Sequence, residues 1–258
     1  MFETREVLVA AAPYSPSVAP APDIEGAEDA LSRVQELQAR IRGMQATKLE
    51  SPALPTSAAM AAVLPSGALR QGSAYSVDGS LTLAMALLAG PSASGAWCGV
   101  VGVPDFGAEA ASRFGIDLER LVLVPDPGEH WLTATAALVD VLTVVVLRPP
   151  ARASDTDVAR LGARLRQRGA ALVVLGPWPQ AEARLSISSS SWTGLGDGHG
   201  HLAAREATVT AIGRLGYDRP RSVRLWLPDG HQQFGTVESP DAAQLRRDGS
   251  PLLQAVTA

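Results

Sequence analysis

Lysine and cysteine are almost absent from this sequence. Its 22 basic residues include one lysine, Lys48, so any site that requires a lysine has a single candidate. The one cysteine, Cys98, excludes an internal disulfide and fits a reducing compartment. No apolar run approaches the ~20 residues that a membrane-spanning helix needs. The first residues mix Glu3 and Glu6 with Arg5, which is not a secretory signal. We therefore expect a cytoplasmic protein without a membrane partner.

Charge is distributed unevenly along the chain, although the net charge is only −4. Residues 1–145 carry 8 basic and 16 acidic side chains, whereas residues 146–258 carry 14 basic and 10 acidic ones. The second half could therefore contact nucleic acid or an acidic partner. A genome rich in arginine codons would produce the same composition, so the charge balance leaves both explanations open.

Apolar runs typical of strands alternate with helical patterns from residue 57 to residue 175. This alternation predicts right-handed βαβ units and a parallel sheet. The predicted strands are 73–77, 97–103, 121–124, 143–147 and 171–175. The predicted helices are 57–64, a helix from 81, 106–114, 129–139 and 155–168, the last with Ser154 and Asp157 as a capping box.

Shorter apolar segments follow Pro179 and are separated by Gly, Pro and Asp. They predict antiparallel strands at 185–190, 208–212, 222–227 and 232–237, added to one edge of the sheet. The expected fold class is α/β, with a RecA-like parallel sheet flanked by helices, antiparallel C-terminal strands and an N-terminal helical arm.

The two ends of the chain are predicted to lie outside this core. We divide the sequence into a flexible arm with an amphipathic helix (1–55), a degenerate RecA-like domain (56–238) and a C-terminal tail (239–258). The helix spans 27–45 and could fold back on its own domain or bind a partner. Candidate partner-binding residues in the helix and the tail are Leu31, Val34, Leu37, Ile41, Leu245, Arg246, Arg247, Leu252 and Leu253.

The turn between the strand 73–77 and the following helix is unusually short. A phosphate-binding loop of the form G-x-x-x-x-G-K-[ST] would stand here, with backbone N–H groups around the phosphates and a lysine that reaches them. The chain has only Asp78, Gly79 and Ser80 at this point. We expect no room for a phosphate cradle, and the Asp78 carboxylate repels phosphate charge.

Four segments in order resemble RecA-type ATPases over roughly residues 60–175. GALRQGSAYSV (67–77) is similar to the entry to their first core strand, and FGIDLERL (114–121) to their L-G-V-D-x-D-x-L. PDPGE (125–129) resembles P-D-T-G-E, and the strand 143–147 resembles V-I-V-V-D. On this resemblance the water-activating glutamate falls at Pro104 and the magnesium-supporting aspartate at Leu147. The resemblance therefore implies a non-enzyme that lacks the P-loop lysine and both acids and carries no cofactor.

The missing phosphate loop, the Pro-rich arm and the antiparallel end with its tryptophans resemble the ImuA family in its divergent ImuA-prime form. That resemblance implies a nucleoid-associated accessory protein of damage-induced (SOS) translesion synthesis and mutagenesis. It would bind an ImuB-type Y-family polymerase homologue and, indirectly, a DnaE-type error-prone polymerase; self-association and direct DNA binding stay open. A SulA-like inhibitor of cell division and a nucleotide-binding switch with weak ATP binding are the alternatives.

Other polar features point to chemistry less strongly. Arg160, Arg164 and Arg168 share one helix face and, with Trp192, are the candidate DNA-binding residues, although such a face is more often only solvated. The run GDGHGH around residues 196–201 lacks a fourth nearby metal ligand, so we expect a mobile loop and no metal.

Overall fold

The computed structural model describes residues 51–196, 199–214 and 219–237. Residues 1–50 of the predicted arm, with the amphipathic helix, and the predicted tail lie outside these ranges, as do all of the candidate partner-binding residues. The last residues of the predicted arm, 51–55, are described and include a short strand, so they are not flexible as the sequence predicts. Within them, no helix combines the length and the apolar character needed to cross a bilayer.

The described residues form eleven strands and five α-helices. The strands are β1 Ala53–Leu54, β2 Leu69–Arg70, β3 Ala74–Val77, β4 Cys98–Val101, β5 Leu121–Val124, β6 Val144–Leu147, β7 Ala171–Leu175, β8 Ala183–Gly196, β9 His199–Gly213, β10 Arg221–Trp226 and β11 Gly235–Thr236. The helices are α1 Ala58–Val63, α2 Leu81–Ala93, α3 Ala108–Arg113, α4 Trp131–Val139 and α5 Asp155–Arg168. Short 3₁₀ turns precede β5 and α4, at Leu118–Arg120 and Gly128–His130.

Nine of these strands form one mixed sheet in the order β11-β10-β9-β8-β3-β7-β6-β4-β5. The strands from β8 to β5 run parallel, and β8, β9, β10 and β11 pair antiparallel in succession. The predicted α/β class, parallel centre and antiparallel C-terminal end are therefore confirmed. One detail differs, because β8 is antiparallel only to β9 and runs parallel to β3.

Helices cover both faces of the sheet, so the central strands are buried on both sides. Val144 and Val146 of β6 pack into the cluster that includes α1, α2 and α3. The alternate residues Val145 and Leu147 pack into the cluster that includes α4 and α5. Successive side chains of a strand point to opposite faces, which explains why each central strand is a continuous apolar run.

Helix α5 has the boundaries that the sequence predicts. The Ser154 hydroxyl accepts a hydrogen bond from the Asp157 backbone N–H at 3.2 Å and donates to the Asp157 carboxylate at 2.7 Å. Gly169 ends the helix with a positive φ of 70°, a conformation that glycine adopts without a Cβ penalty. The predicted Ser154 cap is confirmed, whereas the Asp157 carboxylate binds the Ser154 hydroxyl and not the Ser154 backbone N–H that a full capping box requires.

The C-terminal strands differ most from the prediction. Strands β8 and β9 form one long hairpin, and His199 and His201 lie within β9, so the expectation of a mobile loop is wrong for these two residues. The strand expected over 232–237 contains only Gly235–Thr236. Both errors arise because Ser, Gly, His and Gln populate these segments without the apolar alternation that marks a half-buried strand.

Candidate functional site at the carboxyl edge of the sheet

The β3–α2 turn lies at the carboxyl edge of the parallel strands, where α/β proteins bind ligands. The Asp78 backbone N–H donates to the Leu185 carbonyl at 2.9 Å, and Gly79 adopts a positive φ of 62°. The Ser80 hydroxyl accepts from the Leu83 backbone N–H at 3.2 Å and so caps α2. The helix therefore begins directly after the turn, which contains no loop that could fold over a phosphate chain.

An open cavity of about 380 Å³ nevertheless lies beside this turn. The sequence predicts no room for a phosphate cradle within the turn, and the cavity lies beside the turn and not within it. The cavity exists because β8 continues past the last residue of β3, and the β8–β9 hairpin forms a second wall. Its lining residues are Asp78, Gly79, Ser80, Ile187, Ser188, Ser189, Ser190 and Arg205.

Arg205 is the cation of this cavity, and it is not among the residues that the sequence predicts. Its Nη2 donates to the Ser190 hydroxyl at 3.2 Å, and its guanidinium carbon lies 5.7 Å from the centre of the Trp192 ring. Its backbone is held on the other side by Leu227 and Pro228, with two hydrogen bonds of 2.7 Å. The buried Nε has no hydrogen-bond partner among the described residues.

A weak sequence signal for Arg205 exists in retrospect. Counting back along β9 from the buried Ala211, Val209 and Ala207, the next residue on the same face is Arg205. An arginine that continues an inward-facing series is a candidate for binding, because its charge must find a partner. This signal can be recognised only if the strand is known to extend back to Arg205. The predicted strand 208–212 starts three residues after Arg205 and so does not include it.

The two positions that the RecA resemblance assigns to catalytic acids lie at the ends of neighbouring strands. Pro104 follows β4 and is exposed, whereas Leu147 ends β6 and is fully buried in the core. The next residues, Asp105 and Arg148, form an ion pair, with a second contact from Nη2 to Oδ2 of 3.5 Å. The Arg148 guanidinium lowers the pKa of Asp105 below its ordinary value.

Gly102 explains how these strand ends come together. It has a φ of +72°, and a Cβ at this position would collide with the Arg148 carbonyl oxygen. Its backbone N–H donates to the Val124 carbonyl at 2.9 Å, while that of Arg148 donates to Val101 at 2.9 Å. The close approach of β4 and β6 therefore requires glycine here.

The arginine face of α5 is partly neutralised from within the protein. Arg164 and Arg168 both contact the Asp140 carboxylate, at 2.6 Å from Arg164 Nε and 3.2 Å from Arg168 Nε. The hydrogen bond from Arg164 lowers the pKa of Asp140 to about 2. Arg160 lines an apolar groove of about 350 Å³ between α4 and α5.

Trp192, the fourth candidate DNA-binding residue, is 48% exposed on the hairpin and lies far along the sheet from α5. The structure therefore places the predicted DNA-binding residues in two separate groups. No group of three His, Cys, Asp or Glu side chains suited to a metal ion occurs in the part of the chain that the structure describes.

The described chain is thus an α/β protein with a mixed sheet and a polar cavity at its carboxyl edge. Residues 62–180 are similar to the domain family described as MT3502 N-terminal domain. The uncharacterized protein Rv3395c of Mycobacterium tuberculosis (strain ATCC 25618 / H37Rv) is 35% identical over 128 residues, which cover 48% of this chain and 63% of that protein. The chain therefore matches less than two thirds of the length of this relative. The family match ends before β8, so it includes the β3–α2 turn but not Arg205.

Proposed function

We infer that this protein is a non-catalytic accessory protein of damage-induced translesion DNA synthesis, of the ImuA type, that binds an ImuB-type polymerase homologue. The observation that carries the proposal is the three-residue turn at Asp78–Gly79–Ser80. A parallel α/β sheet followed by antiparallel strands is the architecture that the RecA resemblance implies. In such a domain the first strand and its helix would surround ATP, but here the helix cap follows the strand directly.

The other strand ends support the loss of ATP hydrolysis. Phosphoryl transfer needs charge neutralisation, metal support and a positioned water. Pro104 has no group that could accept a proton, and the buried Leu147 cannot support a metal. The nearby Asp105 carboxylate is bound by Arg148, so its charge is already compensated.

An adaptor function also agrees with the surfaces that the fold leaves available. The apolar groove between α4 and α5 and the exposed Trp192 are surfaces that a protein or DNA partner can cover. The candidate partner-binding residues of the helix and the tail lie outside the described residues. They remain part of the proposal as predictions from the sequence.

Three measurements test the proposal. We expect no ATP turnover above a matched buffer blank, and co-purification with an ImuB-type homologue from damaged cells that is reduced when residues 240–258 are removed. Deletion of the gene is expected to lower damage-induced mutation.

Other outcomes would favour the alternatives. ATP hydrolysis that disappears when Ser80 is changed to alanine would contradict the proposal. Saturable binding of labelled ATP without turnover would support the nucleotide switch. Filamentous growth on overexpression would support a SulA-like inhibitor of division.

A further inference from the structure

The cavity beside the β3–α2 turn contains a cation that an adaptor function does not use. Arg205 is half-buried on β9, and its only side-chain hydrogen-bond acceptor among the described residues is the neutral Ser190 hydroxyl. Some of the other described arginines, such as Arg164 and Arg224, contact carboxylates, whereas Arg70 and Arg221 donate to backbone carbonyls. A guanidinium that lines a polar cavity and contacts no carboxylate among the described residues is suited to an anionic ligand, which its Nη atoms would bind.

The groups around Arg205 are mostly donors. A serine hydroxyl that accepts from Arg205 can still donate its own hydrogen, so Ser190 can bind an anion together with the guanidinium. Ser189 lines the same wall, but it pairs with Thr208 and so belongs to the opposite face of the strand from Ser190. The 13-residue helix α2 begins directly after Ser80, which lines the cavity. The Ser80 hydroxyl binds the Leu83 backbone N–H, so the N–H groups of Leu81 and Thr82 are the ones that have no partner within the helix. Phosphate oxygens accept hydrogen bonds from all three kinds of donor.

Asp78 limits how much negative charge the cavity tolerates. Asp78 is exposed and lines the same cavity as Arg205. A polyphosphate bound by Arg205 would therefore also be repelled by the Asp78 carboxylate. We propose that the cavity binds a single phosphate group, held by Arg205, Ser190 and the beginning of α2. An adaptor can bind its partner whether or not this cavity holds a ligand, so the phosphate site goes beyond the proposed function. The phosphate site and the adaptor function can therefore be tested, and can fail, independently.

The test is a calorimetric titration of the full-length protein with inorganic phosphate at constant ionic strength. Arg205→Gln is expected to weaken phosphate binding by about tenfold, which corresponds to the loss of one charge-assisted contact. Asp78→Asn is expected to tighten it, because the repulsive charge is removed. The matched control is Arg184→Gln, which removes the same charge from the opposite face of the same hairpin and should leave the affinity unchanged.

Three outcomes would overturn the proposal. These are no saturable phosphate binding by the unmodified protein, equal affinity in Arg205→Gln, and an equal loss in Arg184→Gln, which would indicate a general charge effect. If Arg205→Gln fails to fold by circular dichroism, Arg205→Lys and Asp78→Asn decide the matter, with retained and increased affinity expected.

Two further arms of the titration distinguish the sources of a phosphate group. A deoxynucleoside monophosphate and a short single-stranded oligonucleotide are compared with inorganic phosphate. Tighter binding of the oligonucleotide that still depends on Arg205 supports a nucleic-acid phosphate, with Trp192 adjacent as a stacking surface. Equal affinities that depend on Arg205 support the proposal for a free phosphate group.

Discussion

Asp140 binds two arginines of α5 with a single carboxylate, and this should make the fold sensitive to acid. Because the pKa of Asp140 is lowered to about 2, its stabilising effect is present above the ordinary pKa of about 3.9 and is lost as pH falls towards 2. We expect Asp140→Asn to lose less stability than the unmodified protein between pH 5 and about pH 2. Urea unfolding midpoints at several pH values provide the measurement.

The control for Asp140 is Asp126→Asn, which removes an exposed acid that forms no ion pair among the described residues. It should reproduce the acid sensitivity of the unmodified protein. An identical pH profile for Asp140→Asn and the unmodified protein would show that the pair with Arg164 adds nothing to stability. That result is the usual one for fully exposed ion pairs, and the partial shielding of Asp140 is why we expect a different one here.

The reactivity of the Cys98 thiol tests whether β4 is buried in the core. It is fully buried in β4, and burial raises the pKa of its thiol to about 12. Since the thiolate is the reactive form, the folded protein should not react with a thiol reagent at neutral pH. One equivalent should react when urea unfolds the chain, because the sequence has one cysteine. Rapid labelling without denaturant would contradict the buried position of β4.

At the scale of elements, the long hairpin of β8 and β9 builds the cavity wall. Gly194 has a φ of +106°, and a Cβ there would collide with the His201 carbonyl oxygen. We therefore expect Gly194→Ala to open the outer part of the hairpin while the parallel core stays folded. The expected readout is a loss of phosphate binding with little change in the main urea transition.

Gly230→Ala is the matched control for this glycine, because its φ is not positive and a Cβ added there would have no atom within 4 Å. It should bind phosphate as the unmodified protein does. If Gly194→Ala instead lowers the stability of the whole chain, the hairpin and the core unfold as one unit.

The elements also show which parts of this structure a sequence can predict. The strands β3 to β7 and the helix α5 are predictable because continuous apolar runs and a serine cap have direct physical causes. The hairpin is longer than its apolar pattern predicts because main-chain pairing, and not burial of side chains, extends it beyond Ile187. The sequence places the turn Asp78–Ser80 directly after a core strand, and the structure shows it there, beside the cavity. The second wall of the cavity and Arg205 depend on the full length of β9, which the predicted strand 208–212 does not include.

At the scale of the whole molecule, the described unit begins before the predicted boundary at residue 56. Strand β1 pairs with β2, and the Thr56 hydroxyl accepts from the Leu69 backbone N–H at 3.0 Å. Helix α2 packs closely against this segment, since a Cβ on Gly90 would lie 2.9 Å from the Thr56 Cα atom. The residues 51–56 are therefore integrated with the first helix that follows the candidate site.

We accordingly expect a chain that starts at residue 51 to be more stable than one that starts at residue 57. Leu54 is only 5% exposed, and losing the burial of one leucine costs about 2 kcal/mol, to which the loss of the Thr56 hydrogen bond adds. Urea unfolding of the two chains measures the difference, and Leu54→Ala in the full chain isolates the contribution of the side chain. If the two truncated chains unfold at the same urea concentration, the β1–β2 pair is not part of the cooperative unit, and the boundary near residue 56 is the better description of the domain.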